Sequence, residues 1–158
     1  MAPLSLPFAI NGSSNSLMTK RIKPPRDTPL SSLVRTDAAW AQVVEEGLPI
    51  TDFVRFFRES GYTVEELARL VHIPPRTYAR RVAAKARLDI PEGERAVRIM
   101  RLYDLAKTFF GTHENTREWL NSRVPALGGR TPMDMARTEP GAREVENLIG
   151  RIEQGIFS

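Results

Sequence analysis

The chain has 158 residues, 41% hydrophobic and 27% charged, enough to bury one moderate core or two small ones that share an interface. It contains no cysteine, which excludes disulfides, thiolate zinc sites and cysteine nucleophiles. No apolar run approaches the roughly 20 residues that cross a membrane, and the first ten residues lack the basic start of a signal peptide. We therefore expect a cytoplasmic protein with no membrane partner.

The net charge of +4 is unevenly distributed along the chain. Residues 1–36 carry five basic and one acidic residue, and residues 63–110 carry ten and six, so each segment has a net charge of +4. The intervening residues 37–62 have a net charge of −3, and residues 111–158 have a net charge of −1. Positive charge in the first segment and in the middle suits contact with nucleic acid. The last third has a different kind of partner, or none.

Residues 1–36 are rich in Pro, Ser, Asn and Gly and show no hydrophobic period. This composition is typical of an arm that is disordered or that a partner orders. Its basic residues are Lys20, Arg21, Lys23 and Arg26. We expect this arm to add nonspecific electrostatic affinity for DNA.

The remaining sequence predicts an all-α fold, because no segment alternates in hydrophobicity and several follow the helical period. In the first part, helices are predicted over 37–46 with Asp37 as cap, over 50–60, from a Thr63–Glu66 capping box, over 75–87 and over 91–111. In the second part they are predicted over 113–121, after a capping box at Thr131 to Asp134, and from Thr138 onward. We place the boundary between a helix-turn-helix bundle and a small helical domain after residue 110.

The segment TVEELARLVHIPPRTYARRVAAKARL has the layout of two short helices joined by a tight turn. The predicted shared core consists of Val64, Leu67, Ala68, Val71, Ile73, Tyr78 and Val82. The second helix is expected to project a polar set away from this core, namely Arg76, Thr77, Arg80, Arg81 and Lys85. In a recognition helix such residues reach base edges and phosphates. The alternative is a basic, solvated helix in an ordinary bundle.

No catalytic or metal-binding constellation is evident in the sequence. His72 and His113 lie in different segments without the spacing of a metal pair, and the carboxylates are scattered among basic neighbours. The pair Gly128–Gly129 lacks the further glycines of a phosphate loop. We therefore expect neither an enzyme nor a bound metal or cofactor.

From about Leu48 to Ser158 the chain resembles the Xre–MbcA–ParS family of antitoxins. The middle part, IPPRTYARRVAAKARLDIPEGERAVRI, is similar to that family's Cro-like helix-turn-helix and following helix. The last part is similar to the family's toxin-binding domain almost throughout. Its marks are Trp119–Leu120, Pro125-Ala126-Leu127-Gly128-Gly129, Thr131–Pro132, Thr138, Gly141-Ala142, Val145, Leu148, Arg151-Ile152-Glu153 and Gly155.

The resemblance implies an antitoxin encoded beside a toxin, usually one with a RES fold. Toxins of that kind deplete NAD, and the antitoxin's C-terminal segment blocks their active site. The resemblance also implies repression of the antitoxin's own promoter, commonly as a homodimer, and a higher-order complex with the toxin. No cofactor is implied for the antitoxin itself.

The last helix separates an apolar face from a charged one. We expect Val145, Leu148, Ile149 and Ile152 to be committed to the core, because they recur at helical spacing. The residues left for the toxin are Arg143, Glu146, Arg151, Glu153, Gly155, Ile156 and Phe157. Glycine at 155 lets the chain turn, and the two apolar residues after it suit an anchor in a partner's site. The alternative is that this apolar pair folds back to complete the core.

Two other functions remain open at this point. The first is a stand-alone helix-turn-helix transcription factor whose last third only dimerises. The second is a scaffold protein whose helix-turn-helix does not bind DNA. A neighbouring gene with toxin character favours the antitoxin over both.

Overall fold

A computed structural model describes residues 36–155, and within that range the protein is helical, with no β-strand. The helices are α1 (Asp37–Glu45), α2 (Ile50–Phe56), α3 (Val64–Leu70), α4 (Pro75–Ala83), α5 (Ile90–Phe110), α6 (His113–Leu120), α7 (Pro132–Met135) and α8 (Glu139–Glu153), with one 3₁₀ turn, Pro125–Leu127. No helix in this range is long and apolar enough to cross a membrane. The predicted basic arm up to residue 35 and the pair Ile156–Phe157 lie outside the described residues. The all-α prediction is confirmed.

The 21-residue helix α5 is the centre of the fold. It begins with a capping box that the sequence analysis missed, in which Asp89 and Glu92 each accept a hydrogen bond from the other's backbone N–H. Its buried residues are Glu92, Gly93, Ala96, Val97, Ile99, Met100, Leu102, Tyr103 and Ala106. It packs against α1, α2 and α3 of the first part of the chain and against α6 and α8 of the last part. All the helices therefore share one continuous apolar core.

The helix-turn-helix is formed by α3 and α4. The Thr63–Glu66 capping box opens α3, with both reciprocal hydrogen bonds present. His72 has a left-handed backbone (φ +57°), and the chain reverses there before Pro75 starts α4. Tyr78 of α4 is 1% exposed and anchors that helix in the core, where burial raises the pKa of its hydroxyl to about 12.

One helix cap differs from the sequence prediction, and two helices end several residues earlier than predicted. Thr36, not Asp37, caps α1 through a hydrogen bond from the N–H of Ala39. The second helix stops at Phe56, and the hydroxyl of Ser60 donates to the carbonyl of Phe57 in the turn that follows. The fourth helix ends at Ala83 instead of residue 87. It ends early because residues 86–88 pair with residues 48–50 through two backbone hydrogen bonds, which draw the chain off the helix axis.

Val64, predicted to pack in the shared core, is exposed, because it is the first residue of α3 and lies beyond the layer in which Leu67 and Ala68 are buried. Leu105 and Phe109 on α5 are also partly exposed, at 38% and 37%. The apolar surface of α5 therefore extends to solvent near its C-terminal end. The other helix-turn-helix core residues are buried or half-buried as predicted.

Threonine caps start all three helices of the last region. The hydroxyls of Thr112, Thr131 and Thr138 accept backbone N–H bonds from the residue three positions ahead. The apolar face of α8 is confirmed as core, since Val145, Leu148 and Ile149 are buried and Ile152 is half-buried. That face packs on α5, so the last region does not have a separate core.

Two glycines of α8 give a matched test of this packing. A Cβ at Gly141 would collide with the carbonyl of Met135, whereas a Cβ at Gly150 meets nothing within 4 Å. Gly141→Ala should lower the free energy of unfolding by about 1–3 kcal/mol, because the α7–α8 turn must open to admit the methyl group. Gly150→Ala should raise the free energy of unfolding by about 0.5–1 kcal/mol through lower backbone entropy. Urea unfolding of the two variants checks this, and equal effects would contradict the packing described here.

Candidate DNA-binding and partner-binding surfaces

The first surface is the exposed side of α4. Arg76 and Arg80 are four residues apart, so their side chains lie on one face of the helix, and both are exposed. Among the described residues neither guanidinium has a hydrogen-bond or ion-pair partner. Thr77 lies between them in sequence and is half-buried. The structure therefore brings together two of the five predicted residues as free cations on one helix face.

Arg81 does not project from the core as predicted. Its Nη1 lies 2.7 Å from each carboxylate oxygen of Glu92, at the first turn of α5. The Glu92 side chain is 11% exposed, and the Arg81 side chain is one-third exposed. The residue faces inward because position 81 lies on the side of α4 that turns toward α5.

Lys85 lies outside the helix on which it was predicted. It follows the C-terminal cap Ala84 and has a left-handed backbone with φ +51°. Because the pairing of residues 86–88 with residues 48–50 ends the helix early, Lys85 stands on the turn after α4. The residue is exposed and remains free to meet a phosphate.

The second surface is the charged side of α8. Arg143 is 72% exposed, and its Nε lies 3.4 Å from the Oε1 of Glu139. Glu146 is more enclosed, with a side chain 26% exposed and 3.5 Å from the Nη2 of Arg101 on α5. Burial raises the pKa of Glu146, and the nearby Arg101 opposes that rise. Of these two predicted toxin contacts, Arg143 is open to a partner and Glu146 is largely occupied inside the protein.

The end of α8 is open to solvent. Arg151 is half-buried and lies 3.4 Å from a carboxylate oxygen of Glu144, while Glu153 is exposed. The chain turns at Gly155, which is exposed and has φ +70°. Ile156 and Phe157 lie outside the described residues.

An ionic network that the sequence analysis missed joins α1, α5 and α8. Arg101 of α5 lies 3.8 Å from Asp37 of α1 and 3.5 Å from Glu146 of α8. One turn earlier, the Nε of Arg98 lies 3.0 Å from the Oε2 of Glu139. The available signal was the placement of two arginines three residues apart on either side of Ile99 and Met100 in α5. They mark the stripe along which α1 and α8 meet the central helix.

His113 has a structural setting. Its Nδ1 lies 2.8 Å from the hydroxyl of Tyr103, and its Nε2 lies 3.5 Å from Glu59. Tyr103 packs edge to face with Phe56 and Phe57, so the histidine joins α6 to an aromatic part of the core. Among the residues that the structure describes, no three His, Asp or Glu side chains are grouped to hold a metal.

Together these features define a helix-turn-helix protein with an appended binding domain built on the same central helix. Residues 39–101 match the antitoxin Xre-like helix-turn-helix domain, and residues 105–155 match the antitoxin Xre/MbcA/ParS C-terminal toxin-binding domain. The chain is 36% identical to an antitoxin Xre of Photorhabdus laumondii over 73% of this chain and 79% of that protein. It therefore belongs to the Xre/MbcA/ParS antitoxin family, and it is an antitoxin of a toxin–antitoxin system.

Two further relatives agree with this assignment. An antitoxin Xre of Yersinia enterocolitica is 38% identical over 59% of this chain and 64% of that protein. A Sphingobium protein named Prs ADP-ribosylating antitoxin is 22% identical over 73% of this chain and 79% of that protein.

Proposed function

We propose that this antitoxin neutralises a RES-domain toxin by covering its active site with the C-terminal segment, and that it represses its own operon by binding promoter DNA. It acts in the cytoplasm as a homodimer that forms a higher-order complex with the toxin. The first 110 residues contain the DNA-binding part, and residues 111–158 contain the toxin-binding part. The helix α5 packs against helices of both parts.

The free guanidinium groups of Arg76 and Arg80 carry the DNA-binding proposal. Two arginines one turn apart on a short exposed helix can enter the major groove, where arginine pairs with the two acceptors of guanine. Lys85 on the following turn supplies a phosphate contact. A homodimer presents two such helices to half-sites about one helical turn apart.

The match of residues 105–155 to a toxin-binding domain carries the toxin proposal. The apolar face of α8 is used in the core, so a partner meets the exposed side with Arg143 and the exposed end with Arg151, Glu153 and Gly155. Ile156 and Phe157 continue from that end and supply an apolar anchor. The name of the Sphingobium relative links an antitoxin to ADP-ribosylation, a reaction that consumes NAD, which supports an NAD-consuming toxin as the partner.

Operator binding should depend on the exposed arginines of α4. Arg76→Ala or Arg80→Ala should weaken operator binding by about 1–3 kcal/mol if the residue reads a base. Lys85→Ala should weaken binding to all DNA about equally and reduce the salt slope by about one unit. Fluorescence anisotropy with operator and random duplexes at several salt concentrations measures both quantities. Arg143→Ala, which removes an exposed arginine from α8, is the control and should bind DNA like wild type. Unchanged operator affinity in a folded Arg76→Ala/Arg80→Ala protein would contradict the proposal.

Toxin neutralisation should depend on the residues after Gln154. A protein truncated there keeps all of α8 and its core contacts, so it should remain folded and bind DNA but no longer rescue cells that express the toxin. Growth and cellular NAD are the two measurements.

Deletion of residues 1–30 is the matched control at the other end of the chain. This variant should still rescue growth, because it keeps every proposed toxin contact. Full rescue by the truncated protein would place the inhibitory surface elsewhere. Rescue of growth without recovery of NAD would contradict the assigned toxin chemistry.

A further inference from the structure

We propose that Glu92 is a positioning residue for operator recognition, which holds α4 at a fixed angle through Arg81. In this assignment Arg81 is not a DNA contact. The inference rests on the proposed DNA-binding function of α4 and assigns different roles to neighbouring arginines of that helix.

The geometry of the pair is the first observation. A single nitrogen of Arg81, Nη1, lies 2.7 Å from both carboxylate oxygens of Glu92. These are short, charge-assisted hydrogen bonds, and the carboxylate is almost fully shielded from water. An arginine held in this way is not free to reach a phosphate unless the carboxylate is left buried without its partner, which is unfavourable.

The second observation is that Glu92 is itself fixed. Its Oε2 accepts a hydrogen bond of 3.1 Å from the N–H of Asp89, and its own N–H donates to the Asp89 carboxylate at 2.8 Å. The carboxylate therefore has a defined place at the first turn of α5, the most extensively packed helix of the protein. Through its ion pair with this carboxylate, Arg81 fixes the position of α4 relative to α5.

The third observation is that the end of α4 needs such an anchor. The helix has nine residues, and buried Tyr78 secures its first half. Beyond Ala83 the chain leaves the helix through a left-handed residue, Lys85, which gives α4 no continuation into α5. The ion pair adds a charged link between the last turn of α4 and the first turn of α5, beside the core packing of Val82 and the backbone pairing of residues 86–88 with residues 48–50. A change in the angle of α4 moves Arg76 and Arg80 relative to the base edges.

Three variants test the inference, each assayed at a temperature where circular dichroism shows it folded. Glu92→Gln keeps an acceptor for the Asp89 N–H but removes the charge that holds the arginine. Arg81→Gln removes the cationic partner of Glu92. Arg80→Gln, at the neighbouring position of α4, is the matched control. Affinity for operator and for random duplex DNA is measured against salt concentration for each variant and for the Arg81→Gln/Glu92→Gln double variant.

If Glu92 positions the helix, Glu92→Gln weakens operator binding roughly fivefold or more, even though it removes a negative charge near DNA. Affinity for random DNA and the salt slope stay near wild type, and the double variant loses about as much as either single variant. Arg80→Gln, in contrast, weakens both kinds of DNA binding and lowers the salt slope by about one unit.

Two results would overturn the inference but would not contradict the proposed DNA-binding function of α4. In the first, Glu92→Gln strengthens binding and Arg81→Gln lowers the salt slope like Arg80→Gln, so Arg81 is a direct contact. In the second, the variants melt at lower temperature but bind operator unchanged when folded, so the pair serves stability alone. A wild-type protein that does not distinguish operator from random DNA would instead refute the proposed function, and this inference with it.

Discussion

The burial of α5 is the constraint on which the rest of the structure depends. Its large inward residues Ile99, Met100, Leu102 and Tyr103 are almost completely removed from water. Burial of each side chain contributes about 1.5–3 kcal/mol relative to leaving it exposed to water. Together these contributions are similar in size to the net free energy of unfolding of a typical domain. Because helices from both regions pack against α5, both regions use this helix to bury their apolar faces.

Sharing one helix also determines how the charges are used. Arginines on α5 itself, such as Arg98 and Arg101, pair with carboxylates of α1 and α8 and hold those helices in place. Arginines on the outer helices divide into two groups. Arg81 turns toward α5 and is paired, while Arg76, Arg80 and Arg143 face solvent. The cations that we propose for DNA and toxin binding are therefore the ones that the core does not require.

Local chemistry made much of this fold predictable from sequence. The all-α class, the Thr63–Glu66 capping box and the apolar face of α8 follow from periodicity and capping rules that act within a few residues. Two caps that were missed, Thr36 and the Asp89–Glu92 box, are local patterns, but long-range contacts set the other missed features. The early end of α4 depends on backbone pairing with residues 48–50, and the inward turn of Arg81 depends on a carboxylate 11 positions away.

The difference between local patterns and long-range contacts also explains why some predicted site residues are exposed and others are paired inside the protein. The four-residue spacing of Arg76 and Arg80 predicted that they lie on one face of the helix, and both are exposed. This prediction depends only on the helical repeat and not on contacts with other helices. Spacing could not separate Glu146 from Arg143, since the difference between them is the presence of Arg101 on another helix. The boundary placed after residue 110 remains a prediction, and the packing of α5 on both regions argues for one cooperative unit.

Urea unfolding of two single-tryptophan variants tests that cooperative unit most directly. Trp40 lies on α1 and Trp119 on α6, so each reports on one region. Trp119→Phe leaves the first probe and Trp40→Phe leaves the second. If α5 is the shared core, the fluorescence transition of each variant coincides with its loss of helicity by circular dichroism. A fluorescence midpoint clearly separated from the helicity midpoint in either variant would show that the two regions unfold independently, and would contradict this account.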